Sequence, residues 1–542
     1  MFVRVKKIGA YEYLYLVENA REGGHHVQRV VKALGRKDEI AASGMLDGLI
    51  ASAARHSRRS IVLSSFYRGE LPELRRICIG PDLVFGRLWA ETGCRDVLNS
   101  LLGDRRFGFD VERAVYLTVL HRLMVSGSDR HASEWRHMFR IPGAEGLDLD
   151  HAYKAMAWLG EVDATGRSTA EAVEEALYRH RQPLLGEVSV AFFDTTSLWF
   201  EGAGGETLGQ RGHSKDYRGH LKQVVLGIVL DGEDRPIASF LLPGNTADVT
   251  QLVPVVRRLR ERFGIARACI VADRGMISAE TIAALEAEKV EYILGARERS
   301  TSEVREQVMR DNGIAVPLTI PRQKGETQLA VKEVKIAGRR YVVCRNEEEA
   351  AKDAAARAEL IAGLERKLAQ GDKALIANKG FRRFVKTTAG DRFAIDRAKI
   401  EADARFDGIF VLRTNTKLSA LQVVLRYRNL LAVEDAFKTA KALMATRPIF
   451  HKTDAGIRGH VFCTFLALLL RKELMDRLAA HNTKRLEWQR ILDDLAELSE
   501  IEVEQDGKRA LLRTAPGPTI DPVCRALAIT LPPVFQEVPP NP

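Results

Sequence analysis

The sequence predicts an α/β protein centred on a mixed sheet flanked by helices, with a β/α segment and a helical segment ahead of it. Three observations lead there. Residues 188–194, 224–229 and 237–242 are consecutive strand patterns, and the last two are followed by turn signals at Asp231-Gly232 and Pro243-Gly244-Asn245. Strand and helix then alternate: strand patterns at 268–273 and 290–294 enclose a helical one from Ser278 to about Lys289. The sheet pattern resumes at 408–412 after a charge-rich interruption. Consecutive strands followed by alternation make a mixed sheet, not an all-parallel one.

A chain of 542 residues is too long for one core and implies roughly two to four domains. With 46% apolar and 28% charged residues it is neither disordered nor fibrous. Its net charge of +10 favours a polyanionic partner. Six cysteines without a C-x-x-C pair read as reduced thiols of a cytoplasmic protein, not as a zinc site or disulfide scaffold. Charges interrupt the N-terminus where a signal peptide needs an apolar stretch. The most apolar run, 461–470, is about half a membrane span and reads as a buried helix. Neither secretion nor a membrane is expected.

Taken in order, residues 1 to about 40 alternate around Glu22-Gly23-Gly24, the pattern of a β-hairpin. Arg4, Lys6, Lys7 and further basic residues lie along it, as a solvated strand face or as a DNA-contacting arm. Residues 108–185 form a helical segment, with Leu117, Leu120, His121 and Met124 at helical spacing and Trp135, Met138, Tyr153 and Trp158 as core. The first part of the sheet spans 186–296, where Asp248 can cap a helix reaching about residue 262. An insertion at 297–404 contains Pro317, Pro321, a strand-like 340–344 and a polar, solvated helix near 348–369. The second part of the sheet domain, 405–475, has a long helix from about Ser419. Residues 476–542 are helical at first and end in a tail with eight prolines among the last 27 residues, expected to be poorly ordered.

Asp194 and Asp273 each end a strand pattern, where sites collect in open α/β sheets. Two such acids on neighbouring strands are tolerable mainly with a divalent cation between them; alone, they could be loop caps. Glu434 adds a third acid on the long helix. At about 100° per residue, Tyr427 and Lys441 fall about 20° to either side of it, Lys438 and Leu430 about 40° away, and Arg428 about 120° away. One face thus offers a carboxylate, two ammonium groups and a phenol. A plain Glu434–Lys438 surface pair uses neither the Tyr nor the second Lys.

With their contexts FFDTTSLWFEG, VADRGM and YRNLLAVEDAFKTAK, these acids resemble the catalytic triad of DDE insertion-sequence transposases of the insertion-sequence-four group, which have a ribonuclease-H-like catalytic domain. That group carries Tyr, two residues, Arg, three residues, Glu, six residues, Lys. Tyr427, Glu434 and Lys441 match, and Leu430 stands where the Arg belongs. Similar context occurs at 244–248, 407–415 and 458–462. The acids are 79 and 161 residues apart, and the longer gap accommodates the group's insertion.

The resemblance implies cut-and-paste transposition. Residues 1–107 would bind transposon ends, with Arg4, Lys6 and Lys7 on DNA. Asp194 would bridge two Mg²⁺ ions, replaceable by Mn²⁺, with Asp273 and Glu434 completing their shells. Arg274, Tyr427, Lys438 and Lys441 would hold DNA phosphates, with the two lysines standing in for the missing Arg. It also implies terminal inverted repeats and target DNA as partners, a homodimer on paired ends, and a bacterial, nucleoid-associated location. A ribonuclease-H-like nuclease that never joins DNA is the rival enzyme, and a decayed or domesticated DNA-binding copy the non-enzymatic rival. Other chemistries lack their motifs: Thr207 replaces the third Gly of a dinucleotide loop after Gly202 and Gly204, and there is no P-loop and no H-E-x-x-H. His451 and His460 read as structural or phosphate-contacting residues and not as zinc ligands.

Overall fold

The computed structural model describes residues 1–22, 25–54, 73–185, 189–216, 218–265, 268–296, 301–311, 313–321, 326–369, 383–388, 392–444, 446–481, 483, 486–505 and 508–538. The chain opens with three antiparallel strands, β1 (Phe2–Ile8), β2 (Tyr11–Glu22) and β3 (His25–Arg36). The β2–β3 hairpin is the one that the alternation predicts, and its Gly23-Gly24 turn lies outside the described residues. β1 is an added strand, exposed along its whole length, so Arg4, Lys6 and Lys7 all face solvent. Helices α1 (Lys37–Ala42) and α2 (Met45–Ala54) and strand β4 (Glu73–Cys78) follow.

The helical segment begins at Gly80, ahead of the residue-108 start that the spacing suggests: α3 (Gly80–Glu91), α4 (Cys94–Leu102), α5 (Val111–Met124), α6 (Asp129–Trp135), α7 (Leu149–Gly160) and α8 (Thr169–Leu185). Asp110, Ser128 and Asp148 cap α5, α6 and α7 by accepting a backbone N–H from the third helical residue. α5 is buried on every side. Two of its charged residues, Glu112 and Arg113, therefore pair with each other, Arg113 Nε and Nη2 donating to the Glu112 carboxylate at 2.5 Å each.

A nine-stranded sheet follows. β5 (Val190–Trp199), β6 (Gln223–Leu230) and β7 (Pro236–Pro243) form an antiparallel meander; β8 (Cys269–Ala272) lies parallel to β5 on its other side, and β9 (Tyr292–Ala296) lies parallel to β8. This order and these directions are those of a ribonuclease-H-like sheet. Helices α9 (Leu252–Phe263) and α10 (Ala279–Ala287) bury Val255, Leu259, Ile282 and Leu285 in one core with Ala191, Phe193 and Ile270 of the strands.

The insertion extends the sheet as well as interrupting it. β10 (Val316–Pro321), β11 (Glu326–Ile336) and β12 (Arg339–Arg345) are antiparallel neighbours, and β12 pairs with β15 (Ile409–Thr414), which closes onto β9. β10 is the edge strand, which is why Pro317 and Pro321 are tolerated in it. Between β12 and β15 lie α11 (Glu347–Ala369), the hairpin β13 (Val385–Thr388)–β14 (Arg392–Ile395), and α12 (Arg397–Ala404). α11 is not solvated all round: Leu360, Leu364 and Leu368, one per turn, pack with Phe384 and Phe393.

The long helix expected from Ser419 is split into α13 (Ala420–Arg428) and α14 (Leu431–Lys438). At the junction Leu430 N–H donates to Tyr427 O at 3.1 Å and Val433 N–H to Leu430 O at 3.0 Å, bonds to the third residue back that tighten the turn. α15 (Asp454–Ala480) contains the 461–470 run, fully buried, and no helix among the described residues is long and apolar enough to cross a membrane. α16 (Trp488–Glu497), β16 (Ser499–Gln505), β17 (Lys508–Arg513), α17 (Ile520–Ala526) and β18 (Phe535–Val538) end the chain. Residues 516–538 of the proline-rich tail are therefore folded: α17 buries Ile520 and Val523, and β18 pairs with β17 in a sheet of order β18-β17-β16-β4. Pro539, Pro540 and Pro542 lie outside the described residues.

The chain divides into two compact units. One comprises Met1–Val84, His137–Ile141 and Leu478–Pro542 and holds the three- and four-stranded sheets; the other, Phe85–Arg136 and Pro142–Arg477, holds most of the helical segment, the nine-stranded sheet and the β13–β14 pair.

Candidate active site

Strand register places the first two acids side by side. Phe193 on β5 pairs with Ala272 on β8, so the next residues along the two parallel strands are Asp194 and Asp273. β8 stops there because Asp273 leads into a 3₁₀ turn, Arg274–Met276. β5 does not stop: Asp194 lies mid-strand, not at a strand end, since β6 continues to pair with β5 as far as Trp199. Beyond Phe193 the β8 side of β5 is thus open. A cavity of about 480 Å³ lies there, lined by Asp194, Asp273, Arg274, Tyr427, Leu430 and Glu434, with Arg428 beside them.

Tyr427 is fixed within it. Its hydroxyl donates to Asp273 Oδ1 at 3.0 Å, and its ring stacks on Phe410 of β15 at 6.3 Å and 18°. Burial first, then the Asp273 charge, holds the phenol protonated by pushing its pKa up. Gly295 on β9 makes room for this: a Cβ there would lie 2.5 Å from the Tyr427 hydroxyl oxygen and 3.1 Å from Arg274 N. Gly295→Ala is therefore expected to push Tyr427 off Asp273 and, on the catalytic role that the sequence resemblance implies, to lower DNA cleavage on the order of 100-fold, the scale of a 1 Å misplacement. Cleavage assays beside thermal melting check this; unchanged cleavage would mean that Tyr427 has no part in placing Asp273.

Asp194 is largely buried, and burial pushes its carboxyl up to about 6, against the pull of Lys215 and the Thr195 N–H; the charges of Asp273 and Asp248 add to the rise. Lys215 Nζ lies 3.6 Å from Asp194 Oδ1 and 3.3 Å from Asp248 Oδ2, and donates to Thr195 O at 2.6 Å. Thr195 Oγ1 donates to Asp248 Oδ1 at 2.7 Å. Asp248 thus does not cap α9, which starts at Leu252 with no side-chain cap; its carboxylate serves Thr195 and Lys215. Lys215 sits in an aperiodic loop, where no sequence signal points to it.

The helix-face reading holds only in part. Glu434, Tyr427 and Leu430 line the cavity, and so does Arg428, which the ideal wheel turns away; the tightened junction breaks the continuous wheel. Leu430 is 7% exposed and forms an apolar wall. Lys438 is exposed, pairs with Asp435 at 3.3 Å, and is not among the cavity's lining. Lys441 is nearly buried and pairs with Asp216 at 3.0 Å, a carboxylate that Arg447 also engages. Arg4, Lys6 and Lys7 belong to the other unit.

Residues 185–470, more than half of the chain, match the family model described as the transposase DDE domain. The chain belongs to the DDE transposase family. Residues 3–65 of the transposase match the N-terminal domain of IS1634 family transposases, a finer placement than the insertion-sequence-four group. No curated protein matches the chain. Among solved structures it is similar to a piggyBac transposase synaptic complex with hairpin DNA, at 12% identity over 77% of this chain and 79% of that one, with a TM-score of 0.37. It is also similar to a Mos1 transposase paired-end complex with the left transposon end, at 15% identity over 35% of this chain and 61% of that one, with a TM-score of 0.15.

The family uses divalent metal ions to cleave DNA and transfer strands. The cavity of this transposase fits such ions: its acidic lining is all carboxylate oxygen, which suits hard cations, and a cation would relieve the like charges crowding the buried Asp194. A second cluster, Asp129, His451 and His460, brings its ligand atoms within 4.8 Å of one another. Here Arg122 Nη2 lies 2.8 Å from His460 Nδ1, while His460 Nε2 lies 3.2 Å from Thr446 O, an acceptor. The Nδ1 lone pair therefore faces a guanidinium, and this cluster is better suited to hydrogen bonding than to a cation.

Proposed function

We propose that this transposase binds its transposon ends and cuts and joins DNA at the cavity lined by Asp194, Asp273 and Glu434. The gathering of these three acids in one cavity carries the reading. They would hold Mg²⁺, for which Mn²⁺ can substitute, and the bound metal supplies activation of the attacking oxygen and stabilisation of the leaving one. The chain's own residues do the rest. Tyr427 holds Asp273 by its hydrogen bond, and Lys215 holds Asp194 and Asp248 together. Arg274 and Arg428 line the cavity where DNA phosphates would lie, while the Leu430 wall limits water. Lys441 would take up phosphate on leaving Asp216, and Lys438 would contact DNA from the exposed helix face. Arg4, Lys6 and Lys7 on the exposed strand β1 would bind end DNA, and two copies would pair the ends.

The test uses the full chain, an end duplex and a supercoiled target. Mg²⁺ or Mn²⁺ should give both a nicked end with a free 3′-hydroxyl and a joined product, and excess chelator should remove both. Cleavage without joining would establish the nuclease reading, and binding without cleavage the decayed copy. End binding should weaken with salt at a log–log slope of roughly −0.9 per phosphate contact.

A further inference from the structure

A second cavity of the same unit, about 700 Å³, opens between α6, α7 and the segment leading into α15. Three cations line it: Arg130, Arg447 and Lys452. Arg447 pairs with Asp216, whereas Arg130 and Lys452 have no ion-pair partner among the described residues. Two aromatic rings also line it and remain unusually open to solvent, Phe450 at 58% and Tyr153 at 44%. Tyr153 is held in place: His451 meets it edge-on at 5.6 Å and 89°. His451 is itself fixed by the buried Asp129, with Nε2 3.3 Å from Oδ2, and by His460 at 3.2 Å. Asp129, the one carboxylate lining it among the described residues, is thus turned to His451, and the remaining charge of that lining is positive.

Its place relative to the acids is set by β5. Phe200, just past the end of that strand, bridges to Ile449 next to Phe450. Six residues separate Phe200 from Asp194, about 20 Å of strand. Asp216 pairs both with Arg447 of this cavity and with Lys441, seven residues after Glu434.

We infer that this cavity is a binding site for an unpaired stretch of DNA strand, with phosphates on Arg130, Arg447 and Lys452 and a base against Tyr153 and Phe450. Exposed rings beside a basic lining are the general requirement for single-strand binding. The volume falls in the range of small-ligand pockets, room for on the order of one or two nucleotides and none for a duplex. The inference rests on the DNA-processing reading above, and it adds a second site and a single-stranded substrate class to it.

Fluorescence anisotropy on the full chain tests it, with a short labelled oligothymidylate and, separately, an end duplex. Tyr153→Ala combined with Phe450→Ala should weaken oligothymidylate binding roughly ten-fold or more and change duplex binding little. Arg130→Ala combined with Lys452→Ala should flatten the single-strand salt slope by about 1.4. Equal losses for duplex and single strand would reduce the cavity to a general phosphate surface and overturn the inference, as would no loss at all. Photo-crosslinking of an iodouracil-substituted oligonucleotide to the wild-type chain does not depend on how the variants fold. Adducts at Tyr153 or Phe450 support the site, and adducts only elsewhere overturn it. Failure of the catalytic reading shows separately, as triad variants that still cleave.

Discussion

Asp194→Asn, Asp273→Asn and Glu434→Gln should each lower end cleavage roughly a thousand-fold or more, the scale of losing several kcal/mol of metal-assisted transition-state stabilisation. Gel analysis of nicked ends in Mg²⁺ measures this, and a variant that cleaves like wild type would remove that residue from the triad. The fold should survive, and for Asp194 it should gain. The Asp194 carboxyl is pushed up to about 6, chiefly by burial, from an ordinary 3.8. A carboxyl whose folded pKa is raised binds its proton more tightly in the folded state. Its charged form therefore costs stability above about pH 6, and the cost disappears below about pH 4. Without divalent metal, Asp194→Asn should stabilise the protein by roughly 2–3 kcal/mol at pH 8 and hardly at all at pH 4. Melting curves at the two pH values decide; equal effects at both would mean that the charge is not the cause.

Arg258→Ala should strongly destabilise the sheet domain. Arg258 on α9 donates Nη2 to Glu174 Oε2 of α8 at 2.7 Å and Nη1 to Ser239 O of β7 at 2.7 Å, and lies over the Phe240 ring. Glu174 is fully buried and also accepts from Ser239 N at 2.9 Å. Burial already pushes its carboxyl up to about 7, with Arg258 opposing. Removing Arg258 leaves a buried carboxylate without a counter-cation, at a cost of about 3–5 kcal/mol. Because the folded pKa is raised, this loss should be largest above pH 7 and shrink towards pH 5 as Glu174 takes a proton in the folded state. Urea unfolding across that range checks it. The double change Glu174→Gln with Arg258→Met, which buries no charge, should cost clearly less. An Arg258→Ala chain within about 1 kcal/mol of wild type at pH 8 would show that water reaches the pair.

Much of the sheet was legible because its signals are local. β6 and β7 are apolar runs closed by turn residues, β5 opens as an apolar run, and β8, α10 and β9 alternate at the expected lengths. The polar helix and the proline tail were misread for one reason: composition does not reveal a narrow apolar stripe such as Leu360, Leu364 and Leu368, nor a partner strand for residues just before the last prolines. The three acids could be picked out by residue type and context. Lys215 could not, because nothing within its loop says that the loop folds back to Asp194.

By itself, then, the sequence determined the mixed sheet, the positions of its central strands along the chain, and which three carboxylates would be compared with one another, since strand patterns and acid contexts are written in residues a few positions apart. Tertiary structure alone decided that Asp194 lies mid-strand beside an early-ending β8, and that Asp248 turns to Lys215 instead of capping a helix. It also decided that the helix junction at Leu430 brings Arg428 into the cavity and leaves Lys438 outside. Each of these depends on where a neighbouring element stops or bends, and that is set by packing between residues tens to hundreds of positions apart, which no local period records.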